Sequence, residues 1–169
     1  IYMILRAVHR ESNGHGISLG RFDQYVYPYY KKDLEEGRIT REEALEIVEC
    51  FFIKCNELNK LRSWPDTEFF LGYQMFINLA IAGQTVDGKD ATNEVSHLCV
   101  EACENVRIFT PSVFIKWFAG TSDGFTMKAL KAAQRHQGGQ PAFYNDKEFI
   151  RTLKNMGIAE EDRVDWVPA

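Results

Sequence analysis

The chain has 169 residues, 45% of them hydrophobic and 26% charged, with a formal net charge of −4. That length suits one domain able to bury a sizeable core. The mild negative charge and scattered basic residues exclude a phosphate-tracking nucleic-acid surface. No apolar run nears the roughly 20 residues that cross a bilayer.

Residues 1–12 read as a helix, with Ile1, Met3, Ile4, Leu5, Ala7 and Val8 supplying its apolar positions. Asn13-Gly14-His15-Gly16 is turn chemistry, because Gly and Asn tolerate positive φ. Residues 22–36 look helical, broken at Pro28 and stopped at Gly37. The clearest element is a helix over 41–62. Thr40 and Glu43 form its capping box, and Ala44, Val48, Phe51, Cys55 and Leu58 fall near helical period. Leu45, Ile47, Phe52 and Ile53 widen that stripe, so this helix is expected to be covered on two sides.

Trp64-Pro65-Asp66 reads as a break. A buried strand over 74–82 leads into a polar turn from Gly83 to Gly88. A helix over about 92–106 puts Val95, Leu98, Cys99 and Cys103 on one side. Residues 112–118 are β-branched and aromatic, hence a strand. Ser122 can cap a helix to about His136, which Gly138-Gly139 ends. Pro141 to Tyr144 is a short strand, Asp146 caps a helix to Met156, and 164–168 is expected to be another strand. A helix-rich first part is thus followed by alternating strands and helices. That order predicts an α/β fold with parallel neighbours, either an open sheet or a barrel.

Both ends are expected to be cuts through a core, since natural ends are polar and loosely held. Here the chain opens on an apolar helix and closes on Trp166, Val167, Pro168 and Ala169. No basic segment leads into an apolar one, so no secretory leader is expected. Cys50, Cys55, Cys99 and Cys103 form no CxxC pair and read as reduced, buried thiols of a cytoplasmic protein.

Candidate motifs are few. Asp87-Gly88-Lys89-Asp90 fails the spacing of a calcium loop, and helix capping by Asp90 accounts for it better. Cys99 and Cys103 share a helix face but lack two further ligands for zinc, so packing is expected and no metal site is assigned. Glycines 14, 16 and 20 make no nucleotide-binding fingerprint. The segment Glu11-Ser12-Asn13-Gly14-His15-Gly16 has two readings. Its small residues let backbone approach a ligand, with Ser12, Asn13 and His15 offering hydroxyl, amide and imidazole groups. Equally, it is a turn between helices in which Ser12 and Asn13 cap.

Several blocks together resemble the glycyl radical enzyme family, in its pyruvate formate-lyase-like lyase and dehydratase branch. They are Glu11-Ser12-Asn13-Gly14-His15 with Ser18 to Tyr25 and Tyr27-Pro28-Tyr29-Tyr30; Gly37 to Ala44; Asp87 to Glu94; and Pro141 to Asp146. They keep their order and cover almost the whole chain. The resemblance implies that residues 1–169 are part of a ten-stranded α/β barrel, without the radical-glycine domain. It implies a lyase of small metabolites, cleaving a C–O, C–N, C–S or C–C bond by thiyl-radical hydrogen abstraction. The radical would be installed on a distant glycine by a radical S-adenosylmethionine activase with an iron–sulfur cluster. The full-length protein would be a cytoplasmic homodimer of anaerobic metabolism, binding neither nucleic acid nor membrane.

The family's catalytic cysteine lies in a Gly-Cys-x-Glu motif, expected directly after Ala169. No cysteine of this chain sits in such a motif, so no catalytic residue is assigned here. Ser12, His15 and Phe76 are carried over as substrate-binding positions; the residues themselves mark Phe76 only as core. Gly16 stands where glycerol- and choline-type members often have Ser, which counts against a vicinal-diol substrate. Phe114-Ile115-Lys116-Trp117 departs from a more usual Arg-Val pattern. Two other readings stand beside this one. One is a catalytically silent half-barrel that binds a partner through helix 41–62. The other is an unrelated metabolic α/β enzyme with His15 as general base, for which no convincing partner group is present.

Overall fold

The structure is a computed structural model that describes residues 1–11, 16–59, 63–69, 75–136 and 139–168. The elements are α1 (Tyr2–Glu11), β1 (Gly16–Arg21), α2 (Phe22–Glu35), α3 (Arg41–Asn56), α4 (Trp64–Phe69), β2 (Phe76–Ala82), α5 (Glu94–Val106), β3 (Ser112–Trp117), α6 (Asp123–His136), β4 (Ala142–Asn145), α7 (Asp146–Asn155) and α8 (Glu160–Arg163). All neighbouring strands are parallel, and the 4-stranded sheet runs β1-β2-β3-β4 in chain order. The expected parallel α/β architecture is therefore present. Because strand order never reverses and parallel crossovers share one hand, the crossover helices stack on one face, as in a barrel wall.

Alternation along the strands sets the two faces. Leu79, Ile81, Val113 and Ile115 point to the helices and join Val95, Leu98, Cys99, Phe125 and Ala129 in the core, while Ile77 packs in a second cluster with Leu5, Cys55, Leu58 and Met75. Phe52 and Val48 of α3 close the same core from outside α5. Burying a large apolar side chain of this kind contributes about 2 kcal/mol, so this helix-facing layer dominates the stability of the wall.

Several local expectations change. The strand β1 was not expected, because Gly16, Ser18 and Gly20 are poor strand formers; pairing with β2 creates it, with a bulge between Ser18 and Arg21 and Gly20 at φ +72°. Helix α2 runs through Pro28 unbroken, held by the buried Phe22, Asp23 and Tyr30. Helix α3 has the expected capping box at Thr40 but ends at Asn56 rather than 62. Only one of its sides is covered, since Ile47 and Ile53 are 60% and 45% exposed. Trp64-Pro65-Asp66 opens α4 instead of breaking the chain; Pro is tolerated in a first turn, and Ser63 Oγ accepts from the Asp66 amide. Cys50 is exposed, while Cys55, Cys99 and Cys103 are buried.

Helix α5 is capped by Asn93 with Ser96, not by Asp90. Asp90 instead accepts from the Thr92 amide and, across to α6, from the Ser122 amide. Ser122 caps α6 as expected, accepting from the Phe125 amide. Asn145 caps α7, leaving Asp146 free for another use. Residues 164–168 form no strand; side chains, not a backbone ladder, hold them.

Candidate functional site on the inner face of the sheet

The face turned away from the helices is lined in register. Gly16 pairs with Phe76, Ser18 with Asn78 and Asn78 with Ser112; Ala80 pairs with Phe114, and Phe114 with Ala142; Ala82 pairs with Lys116, and Lys116 with Tyr144. This layering resembles the inside of a barrel, with Ser18, Asn78 and Ser112 in one layer and Ala80, Phe114 and Ala142 in the next. Phe114 meets Tyr144 edge-on at 5.1 Å between ring centroids. Tyr144 in turn meets Trp166 edge-on at 6.3 Å.

Phe76 lies on this face at the start of β2, 43% exposed. It is therefore surface of the inner wall, not the core residue that its sequence environment suggests. Ser12 and His15 lie outside the described residues. Gly16, which follows His15, is in register with Phe76. A side chain at Gly16 has no room, since its Cβ would fall 2.7 Å from the Phe76 carbonyl oxygen and 3.0 Å from Phe76 Cβ. Position 16 thus brings the two strands together closely and offers no hydroxyl.

The carboxyl end of the sheet carries a polar cluster that sequence reasoning missed. Lys116 and Asp146 are both fully buried, with Nζ 3.5 Å from Oδ1. Lys116 Nζ also donates to the Val164 carbonyl at 2.5 Å and lies 4.7 Å from the centre of the Trp166 ring. Asp146 Oδ1 accepts from Trp166 Nε1 at 2.7 Å, and Oδ2 accepts from the Gln84 amide at 2.8 Å. Burial brings the Lys116 ammonium down to about 8, against the pull of Asp146, which raises it. Gly83 at φ +90° is required beside them: its Cβ would lie 3.0 Å from Lys116 Cβ and 3.1 Å from Asp146 Oδ2.

Two further groups complete this end. Arg21 donates to the Ala82 carbonyl at 2.9 Å and pairs with Asp165 at 3.3 Å. Asp23 is fully buried, accepts from the Ala82 amide at 2.7 Å and from Ser96 Oγ, and is raised above the usual carboxylate range by burial. It ties the end of β2 to the start of α5. The signals for this cluster were charged residues at strand ends, Lys116 within an apolar run and Asp146 at a helix start. Asp146 read as a helix cap and Lys116 as part of a departure from the family pattern, and only the fold brings them together.

The buried thiols are chemically quiet. Burial pushes Cys55 and Cys103 up to about 12 and Cys99 well above its ordinary value, so none is a thiolate near neutral pH. Among the described residues, no three His, Cys, Asp or Glu side chains converge to hold a metal ion. No helix there is long and apolar enough to cross a membrane. Among the described residues, the buried thiols are protonated and the Lys116–Asp146 pair is closed off from the exposed face by burial. Such a face can shape and orient a small molecule.

Comparison with known proteins gives this wall its context. Residues 1–169 match the family model described as pyruvate formate lyase-like. The probable dehydratase YbiW of Escherichia coli (strain K12) is 37% identical over 169 residues, covering 98% of this chain and 21% of that protein. A structure of 1,2-propanediol dehydration in Roseburia inulinivorans superposes with TM-score 0.92 and 43% identity over 99% of this chain and 21% of that one. The glycerol-bound, B12-independent glycerol dehydratase of Clostridium butyricum superposes with TM-score 0.88 and 41% identity, over 97% and 20%. The chain spans about a fifth of the length of these relatives. A match of this extent settles its membership: the chain belongs to the pyruvate formate lyase-like family of glycyl radical enzymes.

Proposed function

We propose that this chain is the wall segment of a glycyl radical lyase that removes a leaving group from a small hydroxylated metabolite. Elimination of water is favoured, because the similar proteins named above are described by dehydratase activity or dehydration. Cleavage of a C–N, C–S or C–C bond is the broader possibility within the same radical chemistry. The observation that carries the reading is the inner face itself. It is a layered surface with Phe76 and Asn78 towards one end and Phe114 and Tyr144 further along. Such a surface suits a reaction whose reactive group enters from another part of the protein.

In this reading Ser12, His15 and Phe76 contact the substrate. A cysteine beyond Ala169 takes the substrate hydrogen, and a radical glycine still further along is charged by an S-adenosylmethionine-dependent activase. Apolar walls exclude water and oxidants from an intermediate radical, and oriented polar groups hold the substrate for abstraction. The 169 residues alone are expected to be inactive.

The test is anaerobic activation of the full-length protein with its activase, followed by electron paramagnetic resonance and a substrate panel that includes 1,2-propanediol and glycerol. A stable organic radical and loss of water from one panel member support the reading. Absence of any radical under conditions that activate a related dehydratase overturns it. Turnover by the isolated 169-residue chain would overturn the assignment of the reactive groups to other parts of the protein.

A further inference from the structure

We propose that Lys116 and Asp146 form a buried clamp that sets the course of residues 164–168 across the carboxyl end of the sheet, and so positions the loop that follows them. The clamp itself is read from geometry. Its consequence for catalysis rests on the functional reading above, in which that loop carries the hydrogen-abstracting cysteine.

The contacts of the pair all serve to join separate segments. Lys116 comes from β3 and Asp146 from the start of α7, just past β4. Their remaining hydrogen bonds reach Gln84, in the loop after β2, and Val164 and Trp166, in the outgoing segment. Three strand ends are thereby tied to one irregular stretch. Besides these bonds, the stretch is held by the burial of Val164 and by the edge contact of Trp166 with Tyr144. It follows the four-residue helix α8 and makes no ladder with the sheet. Asp165 pairs with Arg21 but is largely exposed, and Trp166 stacks on Phe149 at 4.0 Å between ring centroids.

A fully buried ion pair is a poor stability device. Desolvating both ions costs about what their attraction returns, and an apolar pair of similar volume is often as stable or more so. What an apolar pair lacks is direction. The Val164 carbonyl and the indole N–H each take a donor or acceptor at one place only, which fixes both position and orientation of the segment. Gly83 leaves the space in which this happens. Lys116 and Asp146 are thus positioning residues rather than catalytic ones.

The test uses the full-length protein with its activase and three variants: Lys116→Met, Asp146→Asn and the double variant. The double variant leaves no charge at either position, and its one amide oxygen can accept from Gln84 or from Trp166 but not from both. The readouts are thermal midpoint, hydrogen exchange of peptides covering 162–168, radical yield, and kcat separately from KM. In the double variant the midpoint is expected to fall by no more than a few degrees, for the one acceptor lost, and radical yield to match wild type. Exchange over 162–168 should rise about tenfold, and kcat should fall about tenfold or more with KM little changed.

A double variant with wild-type exchange and wild-type kcat would overturn the clamp, leaving the pair a merely structural one. So would exchange that rises equally throughout the sheet. If the single variants do not fold, the double variant alone decides. If wild type forms no radical, the functional reading fails, while the exchange measurement still judges the clamp.

Discussion

Replacing Gly16 by Ala should loosen the β1–β2 edge, because the added Cβ would sit 2.7 Å from the Phe76 carbonyl oxygen, a backbone atom that cannot swing aside. Overpacking of this kind costs about 1–3 kcal/mol. Removing a glycine from the unfolded chain returns about 0.4–1 kcal/mol. The net expectation is a loss of about 1–2 kcal/mol, a factor of roughly 5–30 in the local opening equilibrium. The assay is hydrogen exchange of peptides covering β1 in the full-length protein. Gly124→Ala in α6 is the control, because nothing lies within 4 Å of its Cβ and helix propensity favours Ala. Slowed or unchanged exchange at β1 in Gly16→Ala, with the control behaving as expected, would refute the close approach. Gly16→Ser should show the same loosening, and a hydroxyl there would reach the inner face only after Phe76 shifts.

Other outcomes follow from the same structure. Asp23→Asn should flatten part of the pH dependence of stability. Burial raises Asp23 above its ordinary 3.8, so its contribution is full below that value and is lost as pH rises through the raised one; urea midpoints of wild type and variant, compared across that range, check the difference. Iodoacetamide at neutral pH should label Cys50 first and leave Cys55, Cys99 and Cys103 unmodified until unfolding, as mass spectrometry of tryptic peptides would show. Asn93→Ala removes the acceptor for the Val95 and Ser96 amides and should cost about 1 kcal/mol, seen as faster exchange at the start of α5.

The comparison between sequence and structure divides along a physical line. Helices α3, α5, α6 and α7 and strands β2 and β3 were legible because hydrophobic period, capping residues and β-branched content act within a few residues of one another. Their parallel pairing followed from their alternation. The family resemblance was legible too, from ordered blocks such as Ser18 to Tyr25 and Asp87 to Glu94. Strand β1 was not, since a Gly- and Ser-rich segment becomes a strand only when a neighbour supplies its hydrogen bonds. Nor was the continuity of α2 through Pro28, where tertiary packing outweighs one lost backbone bond. The segment 164–168 looked like a strand from its apolar content, yet its hydrogen bonds go to Lys116 and Asp146 side chains. Local chemistry along the chain therefore determined most of the elements, their order and the family. The tertiary structure alone decided which residues face inward and which distant charges meet, because burial and ion pairing depend on distances that spacing along the chain does not encode.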